Sequence, residues 1–252
     1  MNRKIALITG GSRGLGRNMA LHLAQRGMDL IVTYHSRRDE AESIAAEAQA
    51  LGAQVGVLQL DVGDSSRFPG FAAEVSALLE SQWQRPQFDA LVNNAGIGLH
   101  AAFIDTTEAQ FDELFRIHLK APYFLTQALL PALADGGRIL NISSGLARFS
   151  LPGSSAYAVM KGGVEVLSRY LARELGSRGI SVNTLAPGAI ETDFNGGLVR
   201  DNPAINQMVA THTALGRAGL PDDIGPVVAA LLADDSGWIT GQRIEASGGM
   251  FL

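Results

Sequence analysis

The sequence contains no cysteine, which removes disulfides, thiolate nucleophiles, iron–sulfur clusters and cysteine zinc sites together. Aromatic residues make up only 6% of the 252 positions and charged residues only 18%. Lys and Arg (20) are outnumbered by Asp and Glu (25), for a formal charge of −5. A mildly acidic surface argues against nucleic acid or an anionic membrane as partner, since both attract basic surfaces. Long apolar runs are also missing. The first one ends after four residues at Thr9 and Gly10, too short for a signal peptide. The late run Val227–Ala233 falls far below the ~20 residues of a spanning helix. Repeats and low-complexity stretches are absent. His22, His35, His100 and His212 are scattered without metal-ligand spacing, so no metal is expected. Together these absences predict a cytoplasmic protein.

What is abundant is apolar residues, at 46%, and glycine, at 29 residues. Short β-branched runs alternate with longer segments of helical period. Strands are predicted at Ile5–Thr9, Leu30–Tyr34, Gln54–Leu60, Ala90–Val92, Arg138–Ile142, Ile180–Leu185 and Gln242–Glu245. Helices are predicted at Leu15–Arg26, Asp39–Leu51, Ser66–Ser81, Ser155–Arg178 and from Pro221 to Leu232, with Thr107 and Gln110 spaced as a capping box. Pro122 and Pro131 interrupt or bound the helical region that follows. The alternation predicts one doubly wound α/β domain over residues 1–252, a parallel sheet covered on both faces. One long stretch, Glu191–Gly219, shows no regular pattern and is expected to lie as a lid over the ligand crevice.

The first strand runs into Thr9-Gly10-Gly11-Ser12-Arg13-Gly14-Leu15-Gly16 and then directly into a helix. Glycines there let the backbone approach a pyrophosphate, and the helix N-terminus offers free N–H groups. A Gly-rich turn alone is equally an ordinary βα connection. Its place at the first βα crossing of an alternating chain favours a dinucleotide. A Gly-Lys-Ser/Thr phosphate loop is absent. The second strand ends at Tyr34 with His35, Ser36, Arg37 and Arg38, and no carboxylate occupies the position that usually holds a ribose 2′-hydroxyl. Arg13, Ser36 and Arg37 are therefore expected to hold a 2′-phosphate, making the cofactor NADP(H). The alternative is that Arg37 and Arg38 form a solvated helix start, partly offset by Asp39 and Glu40.

The Gly-x-x-x-Gly-x-Gly spacing is joined by Asn93-Asn94-Ala95-Gly96, Ser144, Tyr157-x-x-x-Lys161, Pro187-Gly188 with Thr192, and Gly248-Gly249. In that order the motifs resemble the short-chain dehydrogenase/reductase family, most of all its 3-oxoacyl-[acyl-carrier-protein] reductases and small carbonyl reductases. The resemblance covers nearly the whole chain and implies a Rossmann fold of seven strands. It implies cofactor contacts from Gly10, Ser12, Gly14, Leu15, Gly16, Asp61, Val62, Asn93, Ala95, Gly96, Pro187, Gly188, Ile190 and Thr192, and from Tyr157 and Lys161. Asp61 equally reads as a turn cap, and the Asn93-Asn94 pair as a link between strands. Tyr157 is implied as proton donor to a carbonyl, Ser144 as hydrogen-bond donor to its oxygen, and Lys161 as modulator. A nearby ammonium and an oxidised nicotinamide are expected to lower the tyrosine pKa by about 2–3 units.

One position departs from the family. His118 stands where an asparagine normally helps order a water that relays protons to the lysine. Histidine either takes over that relay, titrating near pH 6.5, or displaces the water. The residues between Ser144 and Tyr157, with Phe149 and Leu151, and the lid residues Phe194, Leu198 and Met208 are expected to give an apolar pocket wall, unless they only pack a core. Arg148 either meets an acidic group or faces solvent. Carrier-linked family members present basic residues near the turn before the fifth strand, where this chain has Asp135, leaving Arg178 as a basic contact. A free ketone, ketoester or 3-oxoacyl carbonyl (or the matching alcohol) is therefore the expected substrate. An acyl carrier protein is the second reading, and a catalytically silent NADP-binding regulator the third. Small and apolar residues on the long helix (Ala158, Gly162, Gly163, Val166, Leu167) and the habit of the family imply a homotetramer or homodimer.

Overall fold

A computed structural model describes residues 3–252. The strands β1 (Ile5–Ile8), β2 (Asp29–Tyr34), β3 (Val55–Gln59), β4 (Phe88–Asn93), β5 (Leu133–Ile142), β6 (Ser181–Pro187) and β7 (Arg243–Ala246) form one sheet. Their order is β3-β2-β1-β4-β5-β6-β7, with every pairing parallel. Strand side chains alternate between two cores. Ala6, Ile8, Leu30, Val32, Val92 and Leu140 face helices α1 (Gly14–Gln25), α2 (Arg38–Ala50) and α9 (Gly225–Leu231). Ile5, Leu7, Ile31, Leu91, Ile139 and Val182 face α3 (Phe68–Leu78) and α5 (Ala121–Leu129). Burial on both faces explains why these strands read as continuous apolar runs rather than alternating ones.

The chain leaves β3 and returns beside β1 as β4, so the strand order reverses between β1 and β4. The carboxyl ends of these two strands diverge there and open the crevice in which such sheets take their ligands. Between β4 and β5 the chain runs through α4 (Glu108–Phe115), opened by the Thr107–Gln110 capping box, and then α5. A π turn, Arg116–Lys120, joins them, and Pro122 sits in the first turn of α5. Helix α6 (Ser155–Leu175) precedes β6 and ends in a 3₁₀ turn over Gly176–Arg178.

The segment expected to be irregular is not. Within it α7 (Leu198–Asp201) and α8 (Pro203–Thr211) form, the latter capped by Asn202, whose Oδ1 accepts from the amides of Ala204 and Ile205. The interrupting Gly and Pro mark the starts of these short helices rather than their absence. The base of the excursion is pinned where Ile190 pairs with Gly219. Among the described residues no helix is long and apolar enough to cross a membrane.

Candidate active site

The glycine turn lies at the carboxyl end of β1. Gly10 and Gly14 have positive φ (62° and 55°), a region side chains with a Cβ rarely adopt. A Cβ at Gly16 would stand 2.2 Å from the Gly10 carbonyl oxygen and 2.7 Å from Asn94 Nδ2. Thr9 and Asn94 hold this packing together. Thr9 Oγ1 accepts from the amides of Asn94 (2.9 Å) and Ala95 (3.0 Å), while Asn94 Nδ2 donates to the Thr9 and Gly10 carbonyls. Helix α1 begins after Arg13 with no capping side chain and no acid in its first turn. Its first N–H groups are thus left for an anion. Thr192, at the base of the excursion, reaches the same turn beside Gly14.

The other expected cofactor positions are arranged unevenly. Ser36 and Arg37 are exposed at the end of β2, and Arg37 lies 3.3 Å from Glu40. Asp61 accepts from the amide of Gly63 and lies 3.7 Å from His35, so it does cap its turn. The Asn93 amide is buried and committed elsewhere, donating to Asn141 Oδ1 (2.8 Å) and Thr126 Oγ1 (3.0 Å). Its side chain ties β4 to β5 and α5. Gly188 packs against Ser247, where a Cβ would meet Cα at 2.9 Å.

Ser144, Tyr157 and Lys161 come together at the carboxyl end of β5. Ser144 caps a 3₁₀ turn over Gly145–Ala147 and its Oγ accepts from the Leu146 amide at 3.2 Å, which leaves the hydroxyl proton free to be donated. Tyr157 and Lys161 are one turn apart on α6 and share a face. Lys161 is buried; its Nζ donates to the Ile142 carbonyl at 2.7 Å and stands 5.5 Å from the centre of the Tyr157 ring. Burial lowers Lys161 to about 7. Burial pushes the Tyr157 phenol up, against the opposing hydrogen bond of Ser144. The lowering expected from the sequence draws on the charge of an oxidised nicotinamide as well as the ammonium; in the chain alone desolvation is the larger cause and acts the other way.

His118 lies in the π turn, fully buried, its ring edge-on to Tyr157 at 5.0 Å. Its Nε2 faces the Ile97 carbonyl oxygen at 2.7 Å and the Ile97 amide at 3.2 Å; a proton on Nε2 satisfies the shorter contact. The Nδ1 atom is buried without a partner. Burial, aided by the charge of Lys161, lowers His118 to about 3. A ring that titrates near neutrality, open on the sequence, is thus not what burial allows.

Arg148 is exposed but not free. It pairs with Glu245 at 2.6 Å and donates to the Met250 and Phe251 carbonyls. The chain of charges continues from Glu245 to Arg243 and on to Glu165, which accepts from Ser143 Oγ at 2.7 Å. This buttress under the serine end of β5 went unread in the sequence because its members lie on three distant segments. Arg178 is likewise engaged, by Asp135 at 2.6 Å and by the carbonyls of Leu130 and Leu133.

Residues 10–251 match the family model described as Enoyl-(Acyl carrier protein) reductase. The chain belongs to the short-chain dehydrogenase/reductase family. It is 35% identical to the 3-oxoacyl-[acyl-carrier-protein] reductase FabG of Staphylococcus aureus, over 99% of this chain and 98% of that protein. Two solved structures superpose with TM-scores of 0.93. One is the promiscuous reductase LugOII of lugdunomycin biosynthesis, 36% identical over 99% of this chain and 98% of that one. The other is the angucycline C-6 ketoreductase LanV with bound NADP, 34% identical over 98% and 95%. With that membership the chain is an oxidoreductase.

Proposed function

We propose that this protein reduces a ketone, ketoester or 3-oxoacyl carbonyl with NADPH, with Tyr157 as the proton donor. The observation that carries this reading is the convergence of Ser144, Tyr157 and Lys161 beside the glycine turn. The uncapped N-terminus of α1 and the close-packed Gly10–Gly16 turn fit a dinucleotide pyrophosphate. When bound, the reduced nicotinamide supplies the hydride. Ser144 holds the carbonyl oxygen by its free hydroxyl proton, and Tyr157 delivers a proton to that oxygen as charge develops on it. Lys161, close to neutrality in its pKa, exchanges protons near neutral pH and so restores the phenol. His118 serves here as a fixed, uncharged group that holds the Ile97 backbone. Segment 191–219 acts as the substrate lid of a single domain spanning residues 1–252. The test is loss of NADPH absorbance over a panel of ketones, ketoesters and 3-oxoacyl thioesters. No oxidation with any of them would leave the silent-regulator reading.

For the carrier-linked alternative, the name of the staphylococcal relative is the favourable observation. Against it, Asp135, within the opening residues of β5 rather than in a turn before it, engages Arg178, so this end of the strand offers an acidic carrier no free cation. A free substrate is preferred on that ground.

NADP(H) is the cofactor best supported, because the neighbour LanV binds NADP and no acid ends β2. Arg37→Asp is expected to weaken NADPH by about tenfold or more and NADH by much less, as a charge-assisted phosphate contact becomes a repulsion. Fluorescence titration with both cofactors measures it, and an equal loss for both would remove Arg37 from the 2′-phosphate site.

Association is proposed through α6 and the α4–α5 pair. Val159, Val166 and Tyr170 form an exposed stripe along α6, with open space beside Gly162. Gly163 and Leu167, grouped with them on the sequence, face inward instead; Leu119 packs on Gly163. Phe111, Phe115, Tyr123 and Phe124 add further exposed apolar surface on α4 and α5. A self-complementary apolar face of this kind suits a two-fold partner. Light scattering should show a dimer or tetramer at micromolar concentration, and Val166→Glu should lower that mass. A monomeric native chain would refute it.

A further inference from the structure

The ten phenylalanines are not spread evenly over the crevice and the core. Phe68, Phe71 and Phe88 fill the sheet core. Phe149, Phe194 and Phe251 gather instead around the serine and tyrosine of the site. Phe194 lies beside Tyr157, ring centres 6.1 Å apart, yet stays 42% exposed. Phe149 lies against Gly145, the residue after the serine, where a Cβ would meet its ring at 2.6 Å, and packs among Met208, Val209 and Met250. Phe149 is backed by Phe251 at 4.8 Å, which in turn packs on His212 at 4.7 Å.

The backbone is bent to place these rings. Gln84, Asn195 and Phe251 are the three non-glycine residues with positive φ among the described residues. Two of them are here, each at 53°. Asn195, Gly196 and Gly197 are left-handed in succession immediately after Phe194. Asn195 seats its side-chain oxygen on Gly98, where any Cβ would collide, and so interlocks the excursion with the loop after β4. Phe251, a residue that left-handed backbone disfavours, is held by its amide on His212 O and by Arg148 on its carbonyl. Such strain persists where the surroundings over-determine it, and at functional sites it fixes a group in place. Flexible Leu or Met would line a pocket for a pliable acyl chain without this cost. A half-exposed ring held rigidly beside Tyr157 suits a rigid, flat substrate.

We infer that the site is built for a ketone fused to or carried on a planar aromatic ring system, with Phe194, half-exposed beside Tyr157, as its stacking wall. This rests on the carbonyl-reductase reading above and names its substrate class. A stacked aromatic pair adds roughly two- to tenfold in affinity over area alone.

The experiment compares a tetralone, a bicyclic aryl ketone, with an acyclic 3-oxoacyl N-acetylcysteamine thioester of equal carbon number. The native protein should show a kcat/KM for the tetralone about tenfold or more above that for the thioester. Phe194→Leu, at a half-exposed position that leaves the core intact, should cut the tetralone value about fivefold, chiefly through KM, and the thioester value clearly less, so that the ratio of the two falls. Phe194→Tyr should restore it. Preference for the thioester, or an equal loss for both substrates, would overturn the inference. Calorimetric binding of the tetralone separates the two readings. Phe194-dependent binding without turnover keeps the aromatic site and removes the reductase, whereas binding indifferent to Phe194 removes the aromatic site.

Discussion

Tyr157→Phe is expected to lower kcat by about 10²–10⁴-fold while NADPH affinity stays within about twofold. That loss corresponds to roughly 3–5 kcal/mol of transition-state stabilisation. The ring contacts with His118 and Phe194 survive the change, so the pocket keeps its shape. Only the ionisable oxygen is removed. Burial holds that oxygen protonated well above neutral pH, which is the state a carbonyl reduction consumes. Ser144 and the hydride geometry remain and account for a residual rate. Single-turnover kinetics with excess NADPH would separate chemistry from cofactor release. A loss below about tenfold would reject Tyr157 as the proton donor. The companion change Lys161→Ala should reduce both rate and NADPH affinity. Its buried amine is the group able to titrate near pH 7, and its loss also frees the Ile142 carbonyl.

The fold and the convergence of Ser144, Tyr157 and Lys161 were legible because their signals are local. Each strand announces itself as a β-branched run, and a tyrosine and lysine four apart on a helix must share a face. The glycine turn was legible for the same reason: four glycines within seven residues state a backbone requirement directly. What escaped was either long-range or non-periodic. The commitment of Asn93 to Asn141 and Thr126 depends on partners 48 and 33 residues away. The charge relay from Arg148 to Glu165 closes only when β7 lies beside β6. The π turn at Arg116–Lys120 shifts the helical register in a way no 3.6-residue pattern displays. Asn202, the cap of α8, was a visible signal in the excursion and marks a helix start that its glycines obscured. Electrostatics was the least legible layer. The sequence invites a charged lysine lowering a tyrosine, whereas burial dominates both groups and moves them toward their neutral forms.

His118→Asn should make the protein less sensitive to mild acid without moving its pH–rate profile. Burial lowers His118 to about 3, while an unfolded histidine titrates near 6.5. The folded state therefore binds fewer protons than the unfolded state between those values. Stability from this group is fully present above about pH 6.5 and is lost as pH falls toward 3. Between about pH 7 and pH 5 the loss amounts to roughly 2 kcal/mol, about 1.4 kcal/mol for each pH unit below 6.5. Asparagine has no such proton to take up. It can also serve Ile97 at both ends, the amide nitrogen donating to the carbonyl and the amide oxygen accepting from the N–H. The single Nε2 of His118 faces both groups, at 2.7 and 3.2 Å, and can satisfy one. Losing the edge-on contact with Tyr157 opposes this gain, so stability near neutral pH should change little. Urea denaturation of the two proteins at several pH values gives the difference directly. A parallel acid dependence would show that His118 is not the buried uncharged group described. A displacement of the pH–rate profile by a full unit in the variant would show instead that the ring titrates in the working range. A profile that keeps its position while kcat shifts severalfold is the expected result, because a ring that stays uncharged acts through geometry alone.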